Sequence, residues 1–93
     1  MKNVIRKLRL LFGNYEIGCE YWVKIDDIQI IPQFKERQPK FQKMASKWDY
    51  YKKNGSFESP IKLMRNFTLV DGYTTYLLAI KDGLKEVPVY FVD

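Results

Sequence analysis

Eight consecutive residues, Leu69-Val70-Asp71-Gly72-Tyr73-Thr74-Thr75-Tyr76, are the part of this 93-residue chain most suited to chemistry. An extended run ends in a glycine and a helix begins at once, with hydroxyl side chains in its first turn. A turn of this kind presents unpaired backbone N–H groups at the positive end of the helix dipole, which is a seat for an anion. Gly72 would let a phosphate approach the backbone, and Thr74 or Thr75 would donate hydrogen bonds to it. The simpler alternative is that Asp71 caps the helix and the threonines are ordinary first-turn residues. A second pattern lies upstream. Lys40, Lys43 and Lys47 recur at i, i+3 and i+7, which places them within about 60° of one another on a helix, with Arg37 in the loop before them. Such a stripe serves either the phosphates of a nucleotide or a nucleic-acid backbone, or is simply a solvated lysine face.

Other chemistry is narrowly bounded. The chain has no histidine, which removes Ser-His and Cys-His pairs, a neutral-pH imidazole base and histidine ligands for zinc or iron. A single cysteine, Cys19, excludes an intramolecular disulfide and a cysteine cluster, and favours a reducing compartment. No metal site is expected from the ligand types alone. Glu36 is the nearest candidate for a general base, with Asp71 as a metal partner, although a loop carboxylate is usually just solvated. Asp26 and Asp27 are adjacent and would point opposite ways in a strand, so they do not form the carboxylate pair of two-metal chemistry.

Composition gives these motifs a setting. Ninety-three residues form one small domain, and 46% hydrophobic residues, aromatics included, supply a core. The formal charge is +5, and its placement is informative. Residues 35–53 hold seven basic and two acidic side chains, which is the whole excess; the remaining residues hold nine of each. At the N-terminus Val4, Ile5, Leu8, Leu11 and Phe12 share a helical arc with Lys2, Arg6 and Arg9 opposite, which predicts an amphipathic helix ending at Gly13-Asn14. Arg6, Lys7 and Arg9 interrupt any apolar leader, so a cytoplasmic location with no membrane partner is expected.

The elements that must position the motifs follow from periodicity. Tyr21, Val23 and Ile25 alternate as a strand, and Ile28, Ile30 and Ile31 form a second extended run closed by Pro32. Residues 32–38 read as an exposed loop. A helix over about 39–53 would place Phe41, Met44, Ala45 and Trp48 on its core face and end at Asn54-Gly55. Residues Ser59–Met64 and Phe67–Val70 read as a hairpin around Arg65-Asn66, a turn without the usual glycine. Tyr73–Asp82 is the next helix, with Tyr73, Tyr76, Leu77 and Ile80 available to a core and Gly83 as its stop. Val87–Val92 closes the chain as a strand. The sum is an α+β domain, a mixed sheet covered by helices.

In that order the segments resemble the ParB N-terminal and sulfiredoxin superfamily, over about Trp22–Asp93. Val23-Lys24-Ile25-Asp26-Asp27-Ile28 is similar to its opening strand. Pro32 to Pro39 resembles a P-x-x-x-R-x-P loop, and Gly55 with Ser59-Pro60-Ile61 resembles a G-x-x-x-P-I return to the sheet. Leu69-Val70-Asp71-Gly72-Tyr73, then Tyr76-Leu77-Leu78-Ala79-Ile80, Gly83-Leu84 and Glu86-Val87-Pro88-Val89 is similar to L-V-D-G-x-H-R-Y-x-A-x-x-x-G-x-x-x-V-P-V. The resemblance implies a ParB/sulfiredoxin-like domain over residues 20–93, preceded by a helical extension over residues 1–19.

It also implies a nucleotide-phosphate site made by the glycine turn, residues Asp71, Gly72, Tyr73, Thr74 and Thr75, and by the helix positions of Lys40, Lys43 and Lys47, with Arg37 reaching in. The departures are informative. Tyr73 stands where sulfiredoxins carry a catalytic cysteine, so that activity is not expected. Thr74-Thr75 replaces the His-Arg or Arg-Arg pair of many relatives, which argues against nucleotide hydrolysis. The expectation is a minimal ParB-like domain of plasmid, phage or other mobile-element origin that binds a nucleotide, with Mg2+ as a possible companion, or a nucleic-acid backbone. The alternatives are a phosphoryl-transfer or nuclease enzyme using Glu36, and an interaction module with a decayed site. In that module Trp22, Tyr50, Tyr51 and Phe57 would meet a protein partner or a second copy.

Overall fold

The structure, a computed structural model, describes residues 16–92. The expected N-terminal amphipathic helix falls outside these residues. Strand β1 (Glu20–Lys24) leads through a single 3-10 turn (Ile25–Asp27) and an extended stretch to helix α1 (Pro32–Glu36). Helix α2 (Phe41–Asn54) follows, then β2 (Ile61–Leu63), β3 (Leu69–Asp71), helix α3 (Tyr73–Lys81) and β4 (Glu86–Phe91). The four strands form one mixed sheet in the order β1-β4-β2-β3. β4 is antiparallel to β1, with Tyr21 opposite Val89, and parallel to β2, with Ile61 opposite Val89; β2 and β3 are antiparallel.

Alternation along the strands sets the layers. Tyr21 and Val23 of β1, Ile61 and Leu63 of β2, and Val87, Val89 and Phe91 of β4 are buried, while their neighbours in the strands lie toward solvent. Leu78 and Ala79 of α3 are also buried. Phe91 is fully enclosed, with Tyr21 at 5.8 Å and Phe67 at 5.5 Å, both edge-on. Burying each of these large side chains stabilises the fold by about 2–3 kcal/mol.

Four local expectations are corrected or refined. First, residues 32–38 are not all loop. Pro32 occupies the first helical position, where its preset φ and missing N–H cost nothing, and α1 forms behind it. Second, the run after Asp27 is extended as expected, and among the described residues it makes one bridge, Gln29 with Thr68, through Gln29 N–H to the Phe67 carbonyl and Leu69 N–H to the Gln29 carbonyl. Third, α2 starts at Phe41, with Pro39 before it and Lys40 as its N-cap. Phe41 is 84% exposed and no α2 residue is fully buried, so the helix lies on the body rather than in it. Fourth, the inner face of α3 is Thr74, Thr75, Leu78 and Ala79, with Ile80 half in solvent. The expected stripe is right in part: Tyr73 and Tyr76 pack against the core, while Ile80 does not and two threonines are carried inward.

The glycine-free hairpin turn has a physical solution. The left-handed conformation falls on Phe67 (φ 68°), one residue after Arg65-Asn66, and the Asn66 side chain accepts the Thr68 N–H at 3.0 Å. The burial of the Phe67 ring against Phe91 offsets a backbone strain of order 1–3 kcal/mol.

Candidate phosphate-binding site

α3 begins on the backbone of the segment entering β2. Gly72 has φ 88°, and a Cβ built there would lie 2.5 Å from the Pro60 carbonyl oxygen and 2.8 Å from the Ile61 Cα. Both the dihedral and the contact demand glycine. Gly72 is also the N-cap of α3, and no side chain caps that turn. Asp71 does not act as the helix cap, because its carboxylate accepts the N–H of Gly72 itself at 2.8 Å. The N–H groups of the following first turn have no acceptor within the helix.

Those first-turn residues line a cavity of about 620 Å³. Asp71, Gly72, Tyr73, Thr74 and Thr75 form one side. Arg37, Pro39, Lys43 and Lys47 come from α2 and the end of α1, and Ile31, Gln33 and Phe34 from α1 and its approach. Ser59 and Pro60 complete the lining. Three cations and one carboxylate, Asp71, therefore share a cavity with an uncapped helix N-terminus, an arrangement that attracts a multiply charged anion.

The sequence-derived residues divide accordingly. Arg37, at the C-cap of α1, joins Lys43, Lys47 and the whole Asp71–Thr75 turn in the lining. Lys40 and Glu36 do not line it; both are exposed, Lys40 at the N-cap of α2 and Glu36 at the last position of α1. The lysine stripe thus narrows to Lys43 and Lys47, one helical turn apart. Thr74 and Thr75 are buried, and the Thr75 hydroxyl donates to the Ser59 carbonyl at 2.8 Å, so Thr75 Oγ1 is committed to the fold.

Sequence reasoning misses Ser59 and Phe34. Ser59 reads as the start of a strand, yet its hydroxyl accepts from the Lys47 ammonium and its carbonyl from Thr75. Phe34 falls in an expected loop, but it packs on Tyr73 with ring centroids 5.4 Å apart and fixes α1 beside the start of α3. The available signal for Phe34 is its position two residues after a proline able to start a helix. Tyr73 in turn stacks on Tyr76 at 6.1 Å. Burial, then Tyr73 and Asp26, push the Tyr76 phenol above its usual pKa, so it stays neutral.

Among the described residues no group of three His, Cys, Asp or Glu side chains could hold an ion. Asp71 is the one carboxylate of the cavity, and a divalent ion there would have to share it with a ligand's phosphates. The aromatic residues of the alternative interaction surface also separate: Tyr51 and Phe57 stack on each other at 4.3 Å, while Trp22 and Tyr50 are exposed. No helix among the described residues is long and apolar enough to cross a membrane.

The fold is that of a ParB-like N-terminal domain. One crystal form of a pNOB8-like ParB N-domain matches with a TM-score of 0.67 and 27% identity, covering 81% of this chain and 29% of that one. A second pNOB8-like ParB N-domain structure matches at 0.63 and 26%, covering 81% and 28%. The C-terminally truncated chromosome-partitioning protein ParB from Caulobacter crescentus, solved with CTP-gamma-S, matches in fold at 0.63 and 20%, covering 82% and 45%. The chain thus spans less than half the length of each of these solved chains. No family model and no curated protein matches the chain.

Proposed function

We propose that this ParB-like domain binds a nucleoside polyphosphate in the cavity between α1, α2 and the start of α3. The observation that carries the reading is the convergence of Arg37, Lys43 and Lys47 with the uncapped first turn of α3 around one space of about 620 Å³. That volume suits a nucleotide. Gly72 brings the backbone within reach of phosphate oxygens, and the cations neutralise them. A solved neighbour of the same fold holds CTP-gamma-S, which makes CTP the first ligand to try.

Binding is favoured over turnover. Glu36, the carboxylate considered as a base, lies outside the cavity lining, and Asp71 is tied to the Gly72 N–H. A nucleic-acid backbone is the competing anion, since Lys35, Lys40 and Lys53 are exposed outside the cavity. Calorimetric titration of the chain with CTP, ATP, GTP and a short DNA duplex separates these readings. Saturable one-to-one binding of a triphosphate supports the proposal. Binding of the duplex alone transfers the function to a nucleic-acid backbone contact, and heat from none of them overturns both.

A further inference from the structure

Ser59 is connected to three parts of the site at once. Its hydroxyl accepts a hydrogen bond from the Lys47 ammonium on α2, and its carbonyl accepts one from the Thr75 hydroxyl on α3. The next residue, Pro60, places its carbonyl where any Cβ on Gly72 would collide with it. The dipeptide is therefore a strut between the basic helix and the phosphate turn, and it enters the sheet directly at Ile61.

The cations of the cavity are not held alike. Among the described residues Ser59 is the side chain that fixes the head group of Lys47, whereas no hydrogen bond holds the side chains of Arg37 or Lys43. Lys47 is also half-buried where Lys40 and Lys43 are exposed. A lysine has a long, flexible stem and loses much rotamer freedom when it must hold one position. Fixing the ammonium before a ligand arrives removes that loss from binding. The Ser59 hydroxyl remains small and neutral, so it orients the cation without cancelling its charge, as a carboxylate would.

We infer that Ser59 is a positioning residue: it sets the Lys47 ammonium against the first turn of α3 so that the two meet the same phosphate group. This rests on the phosphate-site reading above. It assigns the strength of the site to a side chain that carries no charge.

The test uses the full chain with CTP and with inorganic tripolyphosphate as probes. Ser59→Ala is expected to weaken both by about 5- to 10-fold, the order of one hydrogen bond's net contribution, and Ser59→Thr, which keeps the hydroxyl, is expected to restore most of it. In a Lys47→Ala background, Ser59→Ala should produce no further loss. An equal loss in that background, or no loss in the wild-type background, overturns the inference. A ligand-free measurement separates this from failure of the site itself. By 13C relaxation at the lysine Cε positions, Ser59→Ala should loosen Lys47 and leave Lys43 unchanged. If neither probe binds the wild-type chain, the phosphate-site reading falls; unchanged Lys47 order in Ser59→Ala then overturns the positioning role as well, and selective loosening upholds the hold on Lys47.

Discussion

The Tyr51 hydroxyl donates a 2.6 Å hydrogen bond to the Asp82 carboxylate, and through it the C-terminal end of α2 is fastened to that of α3. Lys52 adds a 3.3 Å ion pair to the same carboxylate and lies 4.6 Å from the Trp48 ring, with Lys81 on that ring at 4.9 Å. α2 buries no residue completely, so among the described residues this clasp and the Lys47–Ser59 bond are the side-chain hydrogen bonds that tie the basic helix to the body, beside the Tyr51–Phe57 stack and the Lys81–Trp48 contact.

The clasp predicts a pH dependence. The Tyr51 hydrogen bond holds the Asp82 carboxyl below the usual carboxylate range; burial opposes it, and the hydrogen bond and charge of Lys52 add to the lowering. A carboxyl depressed in the folded state contributes stability above its unfolded pKa of about 3.9 and loses it as pH falls through the folded value. Thermal melts between about pH 7 and about pH 2.5 should therefore show the wild type losing stability below about pH 4 more steeply than Tyr51→Phe. Parallel curves for the two would count against the clasp.

Gly72→Ala should destabilise the fold by more than about 2 kcal/mol, because it combines a left-handed backbone with a collision against main-chain atoms that cannot rotate away. Gly55 has a similar φ, but a methyl group added there would meet nothing within 4 Å, so Gly55→Ala should cost about 1 kcal/mol, the backbone penalty alone. Urea midpoints of the two variants compare them directly.

Leu78→Ala is expected to cost about 2–5 kcal/mol and Ile80→Ala less than about 1 kcal/mol, since Leu78 is 1% and Ile80 49% exposed. Equal costs in denaturant unfolding would contradict the phase of α3.

Charge in the cavity should matter more than charge on the helix as a whole. Lys43→Glu with Lys47→Glu is expected to abolish CTP binding. The charge-matched pair Lys40→Glu with Lys53→Glu, both outside the cavity lining, should weaken it by only about threefold through long-range screening-sensitive electrostatics. Titrations at two salt concentrations distinguish the two: the small effect of the outer pair should vanish at high salt.

Most of the architecture was legible in the sequence. The strands announce themselves by alternation at Tyr21, Val23, Val87 and Val89, and the turn at Gly72 by a glycine between a strand and a helix. Two features were not legible, for the same reason. Thr74 and Thr75 read as first-turn hydroxyls, and Ser59 as a strand residue, because sequence periodicity does not show partners distant along the chain; the Thr75–Ser59 bond spans 16 residues and the Lys47–Ser59 bond 12. Polar residues can enter a core when such bonds exist. The stripe at Lys40, Lys43 and Lys47 was right in spacing, but Lys40 fell on the cap because the helix begins only after Pro39.

The strand order carries a consequence for biogenesis. β4 is the last of the described strands in sequence but lies between β1 and β2 in the sheet, so among the described residues β1 has no β-partner until residues 86–91 are available. β2 and β3 can pair with each other beforehand, but β1 joins them in one sheet only once residues 86–91 are in place. A chain stalled or cut before Glu86 leaves the apolar faces of Tyr21, Val23, Ile61 and Leu63 without β4 between them, which makes a truncated domain a ready client for chaperones.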